Sequence, residues 1–353
     1  MLIAINQENK LIQADDAKRG IPYFCPSCRQ AVTVRQGEIK IKHYAHRDLT
    51  ECDTLAEGES VEHLQGKIQL RDYFEQQGYT VELETYLPQL KQRPDLLVKK
   101  AGRDFVIEYQ CAPISINRLK ERNVGYASMH LPVLWVLGAP YQQKQLAGAT
   151  QAKFATLHHG QVMNCFWNTS DPARHLIWVP WIKIDGINRA LNKINYQRQL
   201  QRQLWQMQQA LTCKRPEVRL LQNQMYQMQR TITGIPWYVH NINGLPGGLK
   251  GDHWDVKLKI ILRLENDSQS FLELLDLVAA EEWCDFGGIQ CELVQQMWLQ
   301  AVLKEWLALK IIKWDEEQFS LAGKLKWYVD YQHKLADLDE FLWILRRAGM
   351  LIN

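Results

Sequence analysis

The chain has 353 residues, 46% of them hydrophobic and 23% charged, and its 42 basic and 39 acidic side chains give a formal net charge of +3. The composition is that of a globular protein, and no apolar run in the sequence approaches the roughly 20 residues that a membrane-spanning helix requires. A chain of this length exceeds one ordinary hydrophobic core, so we expect two or three domains.

Eight cysteines are spread over the whole length rather than concentrated in a disulfide framework. Residues 1–20 lack the long apolar stretch and the cleavage site of a signal peptide, so we expect a cytoplasmic protein without a membrane segment. The charge is uneven: residues 185–231 hold eight basic and two acidic side chains, whereas residues 252–353 hold eleven basic and eighteen acidic ones. Only the middle of the chain suits a polyanionic partner.

The first half of the chain divides into two segments. Residues 1–56 combine short strands with clustered cysteines and histidines, which indicates a small metal-stapled module. In residues 57–183, a helix from Ser60 precedes three strands, a helix from Ser115 to Met129 and the apolar strand "LPVLWVLG". This order predicts a mixed sheet with helices against it, a fold between the α+β and α/β classes.

The second half of the chain is expected to be helical. Apolar residues at three- and four-residue steps in residues 184–235, interrupted near Pro216, predict a basic, glutamine-rich helical hairpin. Residues 236–353 are acidic, rich in tryptophan and periodic with helical spacing, which predicts a small helical bundle of the winged-helix kind. This last segment carries no chemical motif.

Cysteines and histidines cluster near the N-terminus. Cys25 and Cys28 are separated by two residues on a tight turn, a spacing that lets both sulfurs reach one tetrahedral ion at about 2.3 Å. His43, His46 and Cys52 follow, so five candidate ligands compete for four positions. Spacing alone leaves open two cysteines with two histidines, or three cysteines with one histidine. A filled shell has no open position, which indicates a structural zinc ion.

Two carboxylates in the stretch "QRPDLLVKKAGRDFVIEYQ", residues 92–110, indicate a second metal site. Asp95 begins one strand, and Glu108 and Gln110 lie on one face of the next. Adjacent carboxylates repel each other and are tolerated chiefly when a cation lies between them, and oxygen ligands suit Mg²⁺ or Mn²⁺. Such an ion could activate water against a phosphodiester, so hydrolysis of nucleic acid is the expected chemistry.

The helix that begins at Ser60 presents further polar groups. At roughly 100° per residue, Glu59, Glu62, His63 and Lys67 share one polar wedge. We expect this wedge to face the same cleft as the carboxylates of the sheet. Glu62 could complete the metal shell directly or through water, and Glu59 is the next candidate.

A set of short motifs follows the order found in one known family. The motifs are "YFCPSC", "HYAH" followed by Cys52, "ESVEHLQGK", "RPDLLV", "IEYQCAPIS", "RLKERNVGY" and "VLWVLG". Over residues 1–180 the chain therefore resembles the competence protein CoiA family of naturally transformable bacteria. The resemblance implies a zinc-ribbon-like N-terminal module, a restriction-endonuclease-like (PD-(D/E)xK) nuclease core, and a role in processing or recombining incoming DNA.

The resemblance also assigns residues. It implies catalytic positions at Glu62, Asp95, Glu108 and Gln110, with His63 and Lys67 in the preceding helix and Arg122 and Tyr126 as DNA-binding residues in the following one. For zinc it favours Cys25, Cys28, His46 and Cys52, with His43 as the alternative. Because Gln110 cannot carry the positive charge of the lysine that many nucleases have at this place, that charge comes from elsewhere or is absent, and Lys67 and Arg122 are the candidates to supply it.

Two hypotheses follow from these patterns. The leading one is a Mg²⁺-dependent DNA endonuclease that acts on incoming or recombining DNA during natural transformation. The alternative is a DNA-binding recombination mediator that keeps the nuclease fold with little or no hydrolysis, as Gln110 and the basic hairpin suggest. The acidic C-terminal segment could in either case dock recombination or competence proteins.

Overall fold

The computed structural model describes residues 1–37, 41–46, 52, 60–142, 146–171, 173–183, 195–213 and 216–351. The chain forms two compact units, which are Met1–Pro180 with Asp285–Gly288, and Trp181–Cys284 with Ile289–Asn353. Within the ranges given above, no helix combines the length and the apolar character that crossing a bilayer requires.

The first unit begins with a five-stranded antiparallel sheet in the order β2-β1-β3-β4-β5. Its strands are β1 (Ile3–Ile5), β2 (Leu11–Gln13), β3 (Tyr23–Phe24), β4 (Ala31–Arg35) and β5 (His43–His46). These strands are short, and the small core beneath them includes Tyr23, Val32, Tyr44 and two of the cysteines. A module of this size can bury little apolar area. A bound metal would add stability to its fold that the small core cannot supply.

A mixed sheet and its helices form the rest of the first unit. The elements are α1 (Val61–Gln76), β6 (Thr80–Leu83), β7 (Leu96–Lys99), β8 (Phe105–Gln110), α2 (Ile116–Ser128), β9 (Val133–Leu137), α3 (Ala139–Gln142), α4 (Gly148–Phe154), β10 (Thr156–His158), β11 (Gln161–Phe166) and β12 (Ile177–Pro180). The strand order is β10-β11-β9-β8-β7-β6, and β12 pairs with β11. Strands β6, β7 and β8 are antiparallel, whereas β9 is parallel to β8. The predicted order of helix, three strands, helix and strand is confirmed.

Local sequence explains where the two main helices of this unit begin. The hydroxyl of Ser60 accepts a hydrogen bond from the backbone N–H of His63 at 3.1 Å, and Ser115 caps α2 in the same way at 3.2 Å. Such caps satisfy amide groups that the helix leaves without a partner. The apolar face of α1 then packs on one side of the sheet, and α2 packs on the other through Tyr126.

Side chains along β8 point alternately to the two faces of the sheet, so they contact α1 or α2 in turn. Ile107 and Tyr109 belong to the core beneath α1, whereas Val106 belongs to the core beneath α2. Glu108 lies between Ile107 and Tyr109 in sequence, so its side chain points toward α2. The carboxylate of Glu108 and the hydroxyl of Tyr109 therefore lie on opposite faces of the sheet.

The second unit is predominantly helical. Its elements are β13 (Ile182–Lys183), α5 (Tyr196–Thr212), α6 (Pro216–Gln227), β14 (Leu245–Pro246), α7 (His253–Asn266), β15 (Gln269–Ser270), α8 (Phe271–Ala279), α9 (Cys291–Ala308), β16 (Ile312–Asp315), β17 (Gln318–Leu321), α10 (Tyr331–Ala336) and α11 (Leu338–Arg347). The two predicted helices around Pro216 are present as α5 and α6. From α7 to β17 the order of helix, strand, two helices and two strands is that of a winged helix. The helices expected in this segment are accompanied by a three-stranded sheet, β15-β17-β16.

Candidate metal centre and carboxylate site

Three cysteines and one histidine converge beside the N-terminal sheet. The ligand atoms of Cys25, Cys28, His46 and Cys52 all lie within 4.8 Å of one another. The sulfurs of Cys25 and Cys52 are 3.9 Å apart, and Cys28 Sγ lies 3.3 Å from His46 Nε2. Sulfur ligands at about 2.3 Å from a tetrahedral ion stand about 3.8 Å from each other. The cluster could therefore hold a structural zinc ion.

The electrostatics of the cluster also suit a cation. Burial, with the neighbouring Cys25 adding to it, raises the pKa of the Cys28 thiol to about 12. Thiolates in this pocket would repel one another without a positive ion among them. The donor set of three thiolates and one imidazole is one that zinc prefers.

His43 does not join this cluster. Its Nδ1 atom lies 2.8 Å from the carbonyl oxygen of Ile41. Along β5, side chains alternate between faces, so His46 and Tyr44 share one face and His43 points to the other. Of the two ligand sets that spacing left open, the geometry brings together the three cysteines and one histidine.

Asp95 lies at the start of β7 and is held by α1 and β8. Its Oδ2 atom accepts a hydrogen bond from the backbone N–H of Tyr109 at 2.9 Å and lies 3.2 Å from His63 Nε2, while Oδ1 lies 3.6 Å from Lys67 Nζ. Burial alone would raise the pKa of Asp95, but His63 and Lys67 hold the pKa of this carboxyl below its ordinary value. Asp95 is therefore a carboxylate at neutral pH.

Glu108 lies on the next strand and is held by α2. Its Oε1 atom accepts hydrogen bonds from the guanidinium of Arg122, with Nε at 3.2 Å, and from the hydroxyl of Tyr126. Burial and the charge of Asp95 raise the pKa of Glu108, and Arg122 opposes that rise. The pairing of Leu96 with Ile107 places Asp95, just before β7, beside the position of Glu108 on β8, which accounts for the influence of its charge.

The two residues expected to bind DNA are instead partners of Glu108. Tyr126 is fully buried, and the side chain of Arg122 is 16% exposed. Arg122 Nη2 also donates to the backbone carbonyl of Arg93 at 3.0 Å. Tyr126 therefore holds a carboxylate in place rather than presenting its hydroxyl at a surface, and only Arg122 retains some access to solvent.

Glu62 has hydrogen-bond partners of its own and does not form a cluster with both of the other carboxylates. Its Oε1 atom accepts from the hydroxyl of Tyr109 at 2.7 Å and from the backbone N–H of Ala139 at 3.2 Å, and Oε2 accepts from Thr169 at 2.6 Å. These bonds tie α1 to β8 and to the loops that follow β9 and β11. Among the described residues, the Cys₃His cluster alone brings three or more ligand groups of His, Cys, Asp or Glu within 4.8 Å of one another. Glu59 lies outside the described residues.

Lys67, from the polar wedge of α1, is fully buried. Its Nζ atom lies 2.5 Å from Glu84 Oε1, and Glu84 Oε2 accepts from the backbone N–H groups of Leu2 and Ile3. The backbone of Glu84 is in the left-handed region, with φ of 51°, which breaks the alternation of β6. Sequence patterning missed Glu84 for this reason, and it missed Tyr109 and Thr169 because both reach Glu62 from distant segments.

Gln110 lies on the same face of β8 as Glu108, but its side-chain amide makes a hydrogen bond elsewhere. Its Nε2 atom donates to the backbone carbonyl of Ala112 at 2.5 Å. The positive charges near the carboxylates come instead from Lys67, which contacts Asp95, and from Arg122, which contacts Glu108. Lys67 and Arg122, the two candidates to replace the lysine that many nucleases have at the position of Gln110, thus each contact one of the carboxylates.

Comparison with known proteins identifies two matching regions. Residues 59–207 match the sequence model described as the nuclease-like domain of competence protein CoiA, and residues 5–55 match the model of the N-terminal domain of the same family. The competence protein CoiA of Bacillus subtilis (strain 168) is 30% identical over 136 residues, which are 38% of this chain and 36% of that protein. The aligned region thus spans little more than a third of that relative. No solved structure matches the chain.

Proposed function

The chain belongs to the competence protein CoiA family, and on that premise we propose that it is a metal-dependent DNA endonuclease that processes incoming or recombining DNA. The observation that carries the proposal is the register of β7 and β8 in the nuclease-like domain, where the pairing of Leu96 with Ile107 places Asp95, just before β7, beside the position of Glu108 on β8. Both strands are central to the sheet, so the two acids have fixed positions.

The topology around this pair supports a PD-(D/E)xK core. One helix, α1, precedes three antiparallel strands, and a second helix, α2, leads to β9, which is parallel to β8. Asp95 and Glu108 occupy the acidic positions of that motif. Gln110 occupies the position of its lysine.

The carboxylates leave room for a hard cation. The described hydrogen bonds of Glu108 all end on Oε1, so Oε2 is the oxygen through which Glu108 would bind an ion, and the register of β7 and β8 places Asp95 beside Glu108. Oxygen donors of this kind suit Mg²⁺ or Mn²⁺. When bound, such an ion would polarise a phosphoryl oxygen and lower the pKa of a coordinated water.

The surrounding side chains have separate tasks in this proposal. Arg122 is partly exposed beside Glu108, so it can offset negative charge on a phosphodiester as that charge develops. Lys67 is fully buried, so it stabilises the anionic form of Asp95 without touching substrate. His63 Nε2 lies 3.2 Å from Asp95 Oδ2 and can hold or pass on a proton there.

A cleavage panel tests the proposal. Purified protein is incubated with single-stranded, duplex and branched DNA, with Mg²⁺ or Mn²⁺, and at least one substrate should be cut. Asp95→Asn and Glu108→Gln should each lower the rate at least about a hundredfold, since losing only an outer partner of a metal already costs about 10- to 100-fold. Asp72→Asn is the matched control, because Asp72 is partly exposed on α1 and pairs with Arg71. Cleavage by Asp95→Asn and Glu108→Gln at the wild-type rate would refute the assignment.

The position of Gln110 favours a second candidate function, in which the domain binds DNA without cutting it. The side-chain amide of Gln110 donates a hydrogen bond to the backbone carbonyl of Ala112. Glutamine carries no charge that could assist hydrolysis. Salt-sensitive DNA binding, with no cleavage by any metal in the panel, would favour a recombination mediator over an endonuclease.

A further inference from the structure

An exposed tryptophan lines an open pocket on the second unit. The indole of Trp205, on α5, is 53% exposed. The pocket has a volume of about 380 Å³, and its walls are formed by Gln201, Arg202, Trp205, Tyr331 and Leu335. This volume is at the low end of the range of about 300–1,000 Å³ for ligand pockets, which suits one flat group rather than a large ligand.

The same face of α5 is positively charged. Arg198, Arg202 and Trp205 follow one another at steps of four and three residues, so they share one side of the helix. The opposite side buries Leu200, Leu204 and Met207. Helix α5 contains no acidic residue, and within the described part of the chain neither Arg198 nor Arg202 pairs with a carboxylate.

One acidic side chain lies next to the pocket in sequence. Asp330 caps α10, and its Oδ1 atom accepts a hydrogen bond from the backbone N–H of His333 and lies 2.8 Å from His333 Nδ1. This carboxylate is therefore already engaged with its own helix. It keeps its negative charge, but the two guanidinium groups of Arg198 and Arg202 outnumber it.

We propose that this surface binds single-stranded nucleic acid, with one base stacked on Trp205 and flanking phosphates on Arg198 and Arg202. Aromatic rings stack with any base, and arginines track the backbone. A duplex keeps its bases stacked on each other, so only an unpaired base can enter the pocket. Tyr331 forms an aromatic wall, and Gln201 offers an amide to a base edge. The inference goes beyond the proposed nuclease activity, because α5 and α10 belong to a different unit from the carboxylate pair.

Binding is measured by fluorescence anisotropy of fluorescein-labelled oligo-dT and oligo-U of 15 nucleotides, with an unlabelled duplex as competitor. Trp205→Ala should weaken binding of one or both strands about tenfold, in keeping with the loss of one stacked base. Trp205→Phe keeps an aromatic ring, so binding should stay within about threefold of wild type. Arg202→Ala should flatten the dependence of log affinity on log salt by about 0.7.

Trp314→Ala is the matched control, because Trp314 is 56% exposed on β16 and does not line the pocket. The proposal requires the control to bind like wild type. Wild-type affinity in Trp205→Ala would overturn the proposal, and so would equal affinity for duplex. If Trp205→Ala changed the oligomeric state in sedimentation and left the affinity for the oligonucleotides unchanged, the pocket would instead join two copies of this chain.

The experiment separates this proposal from the endonuclease. Binding is measured without added divalent metal, so hydrolysis does not enter the result. Cleavage by wild type combined with wild-type binding by Trp205→Ala would overturn only the stacking site.

Discussion

Arg122 Nε lies 3.2 Å from Glu108 Oε1, and both side chains are largely buried between β8 and α2. Burial alone would lower the pKa of Arg122, but Glu108 and Tyr126 hold that pKa above its ordinary value. Arg122 is therefore a cation at neutral pH, and its charge opposes the rise that burial causes in the pKa of Glu108. Each charge stabilises the other in a place that water scarcely reaches.

Removing Arg122 should destabilise the protein more than removing both charges. Arg122→Ala leaves the Glu108 carboxylate buried without its cation, which costs about 3–5 kcal/mol in the free energy of unfolding. Adding Glu108→Gln to that variant should recover part of the loss, since no uncompensated charge remains. Urea denaturation of the wild type, both single variants and the double variant measures the coupling. A double variant less stable than Arg122→Ala would contradict the pairing.

A lysine at position 110 should increase cleavage of DNA. Gln110 lies on the same face of β8 as Glu108 and is half-buried, so a lysine there can reach the region of the carboxylates. A positive charge that meets the phosphodiester in the transition state should raise the rate at least about tenfold. Gln110→Met has a similar length and no charge, so it serves as the control in the same assay. Equal rates for Gln110→Lys and Gln110→Met would place position 110 outside the site.

Metal analysis should find one zinc ion for each chain. Cys28→Ser and His46→Ala should each lower the zinc content strongly, because each removes one of four converging ligands. His43→Ala is the matched control, since its imidazole contacts the carbonyl of Ile41 and lies outside the cluster. Loss of zinc from His43→Ala, with retention in His46→Ala, would reverse the choice of histidine.

The order of elements in the first unit could be predicted because its signals are local. Ser60 and Ser115 cap α1 and α2, and short runs of apolar residues mark β7 and β8. Period-two alternation also placed Glu108 and Gln110 on one face. These features depend on neighbours within a few residues, so sequence patterns reveal them.

The partners of the carboxylates could not be predicted from such patterns. A helical wheel placed Lys67 on a polar face, but Glu84 draws it into the core through an ion pair that spans 17 residues in sequence. The positive φ of Glu84 gives no signal in a sequence, since glutamate seldom adopts it. The strands of the winged helix were missed because they have only two to four residues each.

Alanine at position 66 should destabilise the first unit although alanine normally favours a helix. A Cβ atom on Gly66 would lie 2.0 Å from Cε1 of the Tyr109 ring, which is fully buried and bonded to Glu62. Overpacking of this kind costs about 1–3 kcal/mol, whereas glycine to alanine in an open helix gains about 1 kcal/mol. Gly125→Ala is the control, since its Cβ meets the flexible amide end of Gln92. Urea denaturation should show the larger loss for Gly66→Ala, and a gain in stability would refute the close contact.

Acid should destabilise the second unit through His240. This imidazole is fully buried, with Nδ1 3.2 Å from Gln203 Oε1 and Nε2 2.6 Å from Lys334 Nζ. Burial, and then the charges of Lys334 and Lys257, lower the pKa of His240 well below its ordinary value. Above about pH 6.5 the imidazole is neutral in both the folded and the unfolded chain, so it does not make the free energy of unfolding depend on pH. As pH falls below that value, only the unfolded chain gains the proton, so stability falls until the folded pKa is reached.

The loss due to His240 should be at most about 1.4 kcal/mol for each pH unit below 6.5. Urea denaturation at pH 7.5 and pH 5.5 measures it in wild type and in His240→Gln, which keeps a donor and an acceptor but does not titrate. His333→Gln, at an exposed imidazole of the same unit, is the control and should keep the wild-type pH dependence. Lys334, whose pKa is also lowered by burial, is present in both proteins, so the difference between them reports on His240. An unchanged pH dependence in His240→Gln would show that this histidine does not couple protonation to folding.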